Sequence, residues 1–400
     1  MHCFRKVTDD LYWVGGNDRR IELFENIFPL SDGVSYNSYL LLDEKTVLID
    51  SADYAVGRQF LENVQAALDG RSLDYLIVNH MEPDHCAMID ELVLRYPDMQ
   101  IIGNAKTFPM ISQFFDFDLE GKKIVVKEGD TFSAGKHTLH FVMAPMVHWP
   151  EVMMTYDETD KILFCADAFG TFKALNGNIF NDEIDFDRDW LDEARRYYTN
   201  IVGKYGMQVQ SVLKKAAGLD IQILCPLHGP IWRTDLDYII GKYDKWSRYE
   251  PEEKGVMIAY ASMYGNTENM AEILANLLAE EGVKNICMHN ISKTHVSELI
   301  ADSFKYSHIV LAAPTYNNGI YPPMDNYLED MKALALKNRT IAVLGNGSWA
   351  PQSTKLISTK ISEMKDMSLM VANVTIKSSV KDEQMEELKS LARQIAEEVL

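Results

Sequence analysis

At 400 residues the chain exceeds the length that one hydrophobic core usually serves, so two or three domains are expected. Hydrophobic residues at 47% and charged residues at 24%, with no low-complexity tract, exclude an intrinsically disordered chain. A formal charge of −20 argues against nucleic-acid and anionic-membrane binding, both of which need a cationic face.

In chain order, "LYWVGG", "SYNSYLLLD" and "KTVLIDSAD" are short β-branched or aromatic runs broken by Gly, Asn and Asp, which predicts opening hairpins. A helical period over 54–69 follows, then a strand at "DYLIVNH", a helix after Asp84, a strand at "MQIIG" and a helix from Ala105. The stretches 123–143 and 153–166 read as β, residues Trp190 to about Lys215 as one long helix, and "QILCPLHGP" as a strand. This mixture predicts an α/β sandwich. Residues 235–254 read as a helix and a charged, linker-like segment containing Pro251, which places a domain boundary near Lys254.

Beyond it, strands at "VMIAYAS", "KNICMHN", "HIVLAAPT", "TIAVLGN" and "MVANVTI" alternate with helical patterns at 266–282, 294–303, 322–337, 351–364 and 382–399. Five β–α repeats predict a doubly wound parallel sheet. Residues 255–400 hold 13 Lys/Arg against 17 Asp/Glu, so most of the acid excess lies in the first part. The apolar runs are too short to span a bilayer, and Cys3, Cys86, Cys165, Cys225 and Cys287 form no C-x-x-C pair. Reduced thiols, a cytoplasmic location and no membrane association are expected.

The stretch "NHMEPDHC" places His80, Glu82, Asp84 and His85 directly after an apolar strand. His80 and Glu82 project to one side by the two-residue alternation, and Pro83 turns the chain into a helix. Two imidazoles and two carboxylates in six positions at such a switch point to metal binding. His148 in "APMVHWPE", Asp167 in "LFCADAFG" and His228 in "CPLHGPIW" each follow a strand-like run as well. Singly, each reads equally as a hydrogen-bonded polar residue beside a core; jointly they supply the donors a second metal needs. Cys86, Cys165 and Cys225 read as buried apolar thiols. His137 and His140 read as surface or packing residues, and His2, His289, His295 and His308 as histidines without a supporting constellation.

After the strand "VMIAYA" comes "SMYGNTENMA", a turn that opens a helix. Ser262, Asn266 and Thr267 offer side-chain donors, Gly265 permits close backbone approach and the helix N-terminus offers oriented N–H groups, which together make a phosphate cradle. The turn lacks both the G-K-[ST] ending of a triphosphatase loop and the dinucleotide fingerprint. "APTYNNGIYPP" and "GNGSWAPQ" lie at carboxyl strand ends, where such sheets hold ligands. Trp349 or Tyr316 there reads as a stacking residue, or as ordinary packing.

H-x-E-x-D-H followed by separated His, Asp and His resembles the di-iron signature of the flavodiiron proteins, also called A-type flavoproteins, and the phosphate turn resembles the FMN loop of flavodoxins. The resemblance covers essentially the whole chain. It implies an α/β architecture: a metallo-β-lactamase-like αββα sandwich over 1–250, then a flavodoxin-like doubly wound five-stranded parallel sheet over 255–400. It implies two iron ions, one held by His80, Glu82 and His148, the other by Asp84, His85 and His228, with Asp167 bridging. It implies FMN held by Ser262, Met263, Tyr264, Gly265, Asn266 and Thr267, by Pro314, Thr315, Tyr316, Asn317 and Gly319, and by Gly347, Ser348 and Trp349. Family members often carry a G-S-Y-G-W-type fourth-strand loop; this chain reads Gly345, Asn346, Gly347, Ser348, Trp349, keeping the tryptophan.

The implied activity is an oxidoreductase one, reduction of O₂ to water or of NO to N₂O, with FMN resupplying electrons. No rubredoxin or flavin-reductase module follows the last helical pattern, so a separate donor is expected, rubredoxin first. The family also implies a head-to-tail homodimer, or a tetramer. Two rivals are a zinc hydrolase fused to a flavodoxin domain and an FMN electron carrier with a structural metal site. Related hydrolases carry H-x-H-x-D-H, and the hard anionic donor Glu82 in place of an imidazole shifts preference from zinc toward iron.

Overall fold

The computed structural model describes residues 2–400. By their contacts these form two compact units, one reaching to Tyr198 and resuming over Met207–Asp244, the other made of Thr199–Gly206 and Lys245–Leu400.

The first unit holds two main sheets. One runs Arg5–Lys6, Leu11–Trp13, Tyr39–Leu42, Thr46–Ile49, Tyr75–Ile77, Gln100–Asn104, Lys123–Val126, antiparallel up to Thr46–Ile49 and parallel from there. The other runs Thr131–Ser133, Thr138–Met143, Met153–Asp157, Ile162–Phe164, Ile223–Cys225 and is parallel only at its last pair. Strand alternation sends Leu11, Trp13, Tyr39, Leu41, Val47, Ile49 and Ile77 to one face, where they meet Leu139, Phe141, Met153, Ile162 and Phe164 of the second sheet in one core. The opposite face is buried too, at Leu40, Leu48 and Leu76, and the amphipathic helix Gly57–Leu68 packs there against Tyr39–Leu42. This is the αββα sandwich expected.

The second unit is the doubly wound sheet. Its order is Ile286–Asn290, Glu253–Tyr260, Tyr306–Tyr316, Arg339–Asn346, Met367–Leu369, all parallel, so the order reverses at Glu253–Tyr260. Helices Asn266–Glu280 and Asp382–Val399 bury Met270, Leu274, Leu278, Leu388, Leu391 and Ile395 against Val256, Ile258, Val310, Ala312 and Leu344 on one face. Helices Val296–Lys305 and Pro322–Ala333 pack together, with Ser303 and Tyr327 both against the sulfur of Met257 on the other face.

Three details differ from the sequence expectation. The helix expected from Trp190 to about Lys215 is broken into Leu191–Tyr197, a wide turn at Tyr198–Val202, a tight turn at Gly203–Tyr205 and a helix Gly206–Ala216. A β-carbon on Gly206 would lie 2.3 Å from the Ser247 carbonyl oxygen, so only glycine permits this approach, and Tyr249 Oη donates to the Gly203 carbonyl at 2.8 Å. The segment after Ser247 is not a loose linker: Trp246 and Tyr249 are buried, and Trp246 Nε1 donates to Glu252. The fifth strand is split into Met367–Leu369 and Val374–Ile376, because the side-chain oxygen of Asn373 accepts the Val343 N–H that a continuous strand would have used.

Candidate functional site

The seven metal-ligand candidates meet at one end of the first unit's sheets. His80 follows the strand Tyr75–Ile77, and Asp84 and His85 lie on the short helix Pro83–Cys86, with proline at its first position and Glu82 at its cap. His148 sits in the turn between Thr138–Met143 and Met153–Asp157, Asp167 after Ile162–Phe164 and His228 after Ile223–Cys225. All seven side chains are buried or nearly so.

The donors form two groups that share one residue. In the first, Asp167 Oδ2 lies 3.3 Å from His80 Nε2 and 3.1 Å from His148 Nε2, while Glu82 Oε2 lies 3.3 and 3.0 Å from the same two nitrogens. In the second, Asp167 Oδ1 lies 3.1 Å from His85 Nε2 and 3.6 Å from His228 Nε2, and Asp84 Oδ2 lies 3.4 Å from each. Asp167 therefore turns one oxygen to each group. Its loop is held in an uncommon backbone, with Ala166 at φ +49° and Phe169 at φ +66°.

The electrostatics ask for positive charge here. Burial alone would lower the pKa of the imidazoles, yet Asp167 holds His80 well above its usual range, Asp84 and Asp167 hold His85 at about 9, and Asp167 and Glu82 hold His148 at about 9. Burial would raise the carboxylates, but His85 and His80 hold Asp167 far below its usual range, and His148 and His80 lower Glu82. Both oxygens of Asp84 and Oδ1 of Asp167 are buried without a hydrogen-bond partner. Such orphaned carboxylate oxygens are costly unless a cation satisfies them, and four imidazoles with three carboxylates suit a pair of transition-metal ions.

Around these donors lies a set of anchors. Glu151 Oε1 meets His80 Nδ1 at 2.8 Å and accepts from the Met81 N–H at 2.8 Å. Asp50, buried and pushed up to about 6 by that burial, accepts from Asn79 N, Asn79 Nδ2 and His80 N at 2.7, 2.9 and 3.2 Å. His228 Nδ1 donates to the Ser35 carbonyl at 2.7 Å, and the loop carrying it is clamped by Asn37 Nδ2 on the Pro226 and Gly229 carbonyls, each at 2.9 Å. Glu151 and the Ser35 carbonyl each fix an imidazole tautomer so that Nε2 faces the centre, while Asp50 and Asn37 hold the backbone that carries the rings.

The sequence reading missed these anchors, and two further groups. Tyr197 is fully buried, its ring centroid is 5.3 Å from that of His228, and its hydroxyl has no partner. Burial, then Asp167, Glu82 and Asp84, hold that hydroxyl neutral far above its usual range. Glu25 is on an exposed hairpin between Leu23–Phe24 and Phe28–Pro29, with its carboxyl turned toward Glu82 and pushed up to about 8 by desolvation and by that neighbour. Only Glu151, three residues after His148 in "HWPE", left a local trace in the sequence.

The second site is a cavity of about 400 Å³ at the carboxyl ends of the second unit's strands. Of the residues expected there, Ser262, Met263, Tyr264, Asn266, Thr267, Pro314, Thr315, Asn317, Gly347, Ser348 and Trp349 line it, joined by Asn318, Asn346, Ala350 and Ser378. Gly265 does not line it but adopts φ +92° before the helix Asn266–Glu280, with its N–H on Ser262 Oγ at 3.0 Å. Tyr316 and Gly319 lie outside the lining. They flank a two-residue hairpin turn with Asn317 and Asn318 at φ +49° and +58°, and Tyr316 packs edge-on to Tyr321. Trp349 is 88% and Tyr264 93% exposed, an unusual state for large rings and one that suits a stacking platform. No lining residue is charged, so a phosphate would be held by neutral donors at a helix N-terminus, and the aromatic wall fits a planar ring system.

Comparison with known proteins now adds to this geometry. The "ODP family beta lactamase" model matches residues 34–229, and the "Flavodoxin" model matches 258–390. An anaerobic nitric oxide reductase flavorubredoxin of Escherichia coli is 31% identical over 362 residues, covering 89% of this chain and 75% of the relative. The solved rubredoxin oxygen:oxidoreductase of Desulfovibrio gigas is 28% identical with a TM-score of 0.92 over 99% of this chain and 98% of that one. A flavo di-iron protein variant from Thermotoga maritima is 25% identical, with a TM-score of 0.91 over 100% and 99%.

Proposed function

The chain belongs to the flavodiiron proteins, and from that premise we propose that it reduces O₂ to water, or NO to N₂O, at a di-iron site supplied with electrons through FMN. The observation that carries the reading is Asp167, whose two oxygens each face a separate group of buried donors. We assign His80, Glu82 and His148 to one iron, Asp84, His85 and His228 to the other, and Asp167 to both. When bound, the irons supply the redox centre for the gas, and FMN supplies electrons to them singly.

The chain's own residues have three tasks. Glu151 and the Ser35 carbonyl orient His80 and His228, so that the lone pairs needed for coordination face inward. Phe24, Tyr36, Phe172 and Tyr197, all buried, pack as a ring wall beside His228 and keep water out of the centre. Tyr197 Oη, neutral and unpartnered, and the Glu25 carboxyl beside Glu82 are placed to donate protons, which both reductions consume.

We take the functional domains as 1–250 for the metal and 255–400 for the flavin, a division supported by the ranges of the two family models. The FMN contacts we propose are those lining the strand-end cavity, with Trp349 rather than Tyr316 against the ring. Rubredoxin or a similar small carrier is the proposed donor, and a head-to-tail homodimer the proposed assembly. A fully active monomer in sedimentation would overturn the assembly. Among the described residues no helix is long and apolar enough to cross a membrane, and the five cysteines are unpaired, which suits the cytoplasmic location we propose.

The deciding experiment is anaerobic reduction followed by stoichiometric addition of each gas, with flavin absorbance and iron content recorded. Reoxidation by O₂ or NO with two irons and one FMN per chain is expected. A zinc-loaded protein inert to both gases would sink the proposal.

A further inference from the structure

The edge strand Ile286–Asn290 carries Cys287 and His289 two residues apart, so the pleat sends both side chains to one face. The helix Val296–Lys305 brings Asp302 to the same place. Cys287 Sγ lies 3.1 Å from His289 Nε2, Nε2 lies 2.7 Å from Asp302 Oδ2, and Sγ to Oδ2 is 3.5 Å. His289, which read in the sequence as lacking a constellation, therefore stands at the middle of one. Neither the iron centre nor the flavin cavity uses these residues.

We propose that Cys287, His289 and Asp302 form a separate mononuclear site for a thiophilic divalent cation of the Zn²⁺ class, with a fourth coordination position open to water. Thiolate, imidazole and carboxylate are the donor types zinc takes, and three protein ligands plus water make its open tetrahedral shell. The soft sulfur selects against Mg²⁺ and Ca²⁺, which take oxygen shells. Zinc bond lengths at tetrahedral angles put donors about 3.4–3.6 Å apart. The Sγ to Oδ2 distance already matches, and the other two pairs need to part by less than about 1 Å. The His289 and Asp302 side chains are 18% and 20% exposed, enough for an ion to enter and keep a water.

The competing account is a hydrogen-bonded trio with no ion. In that state burial would lower the His289 pKa, but Asp302 and then Cys287 hold it up at about 10, so a proton occupies the space between the donors. A cation would displace that proton and the thiol proton, and binding should strengthen as pH rises. Once bound, it would tie an open sheet edge to the helix beside it.

The test uses the full chain loaded with iron and FMN, with Co²⁺ as the probe. The seven donors assigned to iron include no sulfur, so cobalt that displaced iron would show no sulfur-to-cobalt charge-transfer band. We expect that band at one Co²⁺ per chain, retained in Cys3→Ser and lost in Cys287→Ser, with iron and FMN contents unchanged. A second measurement needs no variant: Zn²⁺ should slow alkylation of the Cys287 thiol by about tenfold or more, leaving Cys3 unaffected. No band at saturating Co²⁺, a band that survives Cys287→Ser, or Cys287 alkylation indifferent to Zn²⁺ would each overturn the proposal.

Discussion

Glu151 Oε1 lies 2.8 Å from His80 Nδ1, and both side chains are wholly buried. The carboxylate fixes the ring and raises its basicity without touching the metal centre. Outer anchors of this kind typically carry about 10–100-fold in metal affinity. Glu151→Gln should lower iron affinity within that range while FMN content stays at wild-type level. Iron titration of the apoprotein would check this, and wild-type affinity in the variant would rule the anchoring role out.

Asp167 is the one residue shared by both donor groups. Asp167→Asn keeps its volume but removes the charge that balances four imidazoles. Iron content should fall at both positions together, and gas consumption by at least about 100-fold, more than an outer anchor costs. Loss of a single iron, with the second fully retained, would contradict a shared carboxylate.

Trp349 exposes 88% of its surface beside the strand-end cavity. An aromatic contact is worth about 0.5–1.5 kcal/mol beyond its buried area, so Trp349→Ala should weaken FMN by roughly tenfold. Tyr316→Ala should change FMN affinity far less, since Tyr316 packs on Tyr321 instead. Fluorescence titration of the apoprotein with FMN separates the two.

His137 makes a pH-dependent clasp. Its Nδ1 meets Asp157 Oδ2 at 2.8 Å and its Nε2 meets Asp10 Oδ2 at 3.2 Å. Burial would lower its pKa, but Asp157 and Asp10 outweigh that and hold it at about 9. A folded-state value above the unfolded 6.5 means the clasp contributes fully below 6.5 and fades as pH rises through about 9. His137→Gln should therefore melt lower than wild type near pH 6, with the gap closing by about pH 10. A gap that widened with pH would show that the neutral ring is the stabilising form.

The strand and helix order of the second unit was legible because each β–α repeat carries its own period and its own turn. The first unit gave away its metal motif for a local reason: His80, Glu82, Asp84 and His85 are crowded into six positions. Asp50 stayed hidden because its partner lies 30 residues away along the chain; Glu151 stands close to His148 in "HWPE", but the His80 ring that it holds lies 71 residues away, a spacing with no signature. Tyr197 sits in a pattern that reads as plain helix, and the His228 ring it packs against comes from a distant stretch of the chain. The split in the last strand depends on one asparagine side chain that takes a backbone acceptor's place.

The seven donors come from four stretches scattered between positions 80 and 228, and they converge only when two sheets have closed on each other. An unfolded chain offers nothing comparable, so loading and folding are thermodynamically linked. Free iron at a hundred times its dissociation constant would add about 2.7 kcal/mol to the resistance of that half of the molecule against heat or denaturant. Cells short of iron would then hold a more fragile enzyme as well as an idle one, and proteases would find it first.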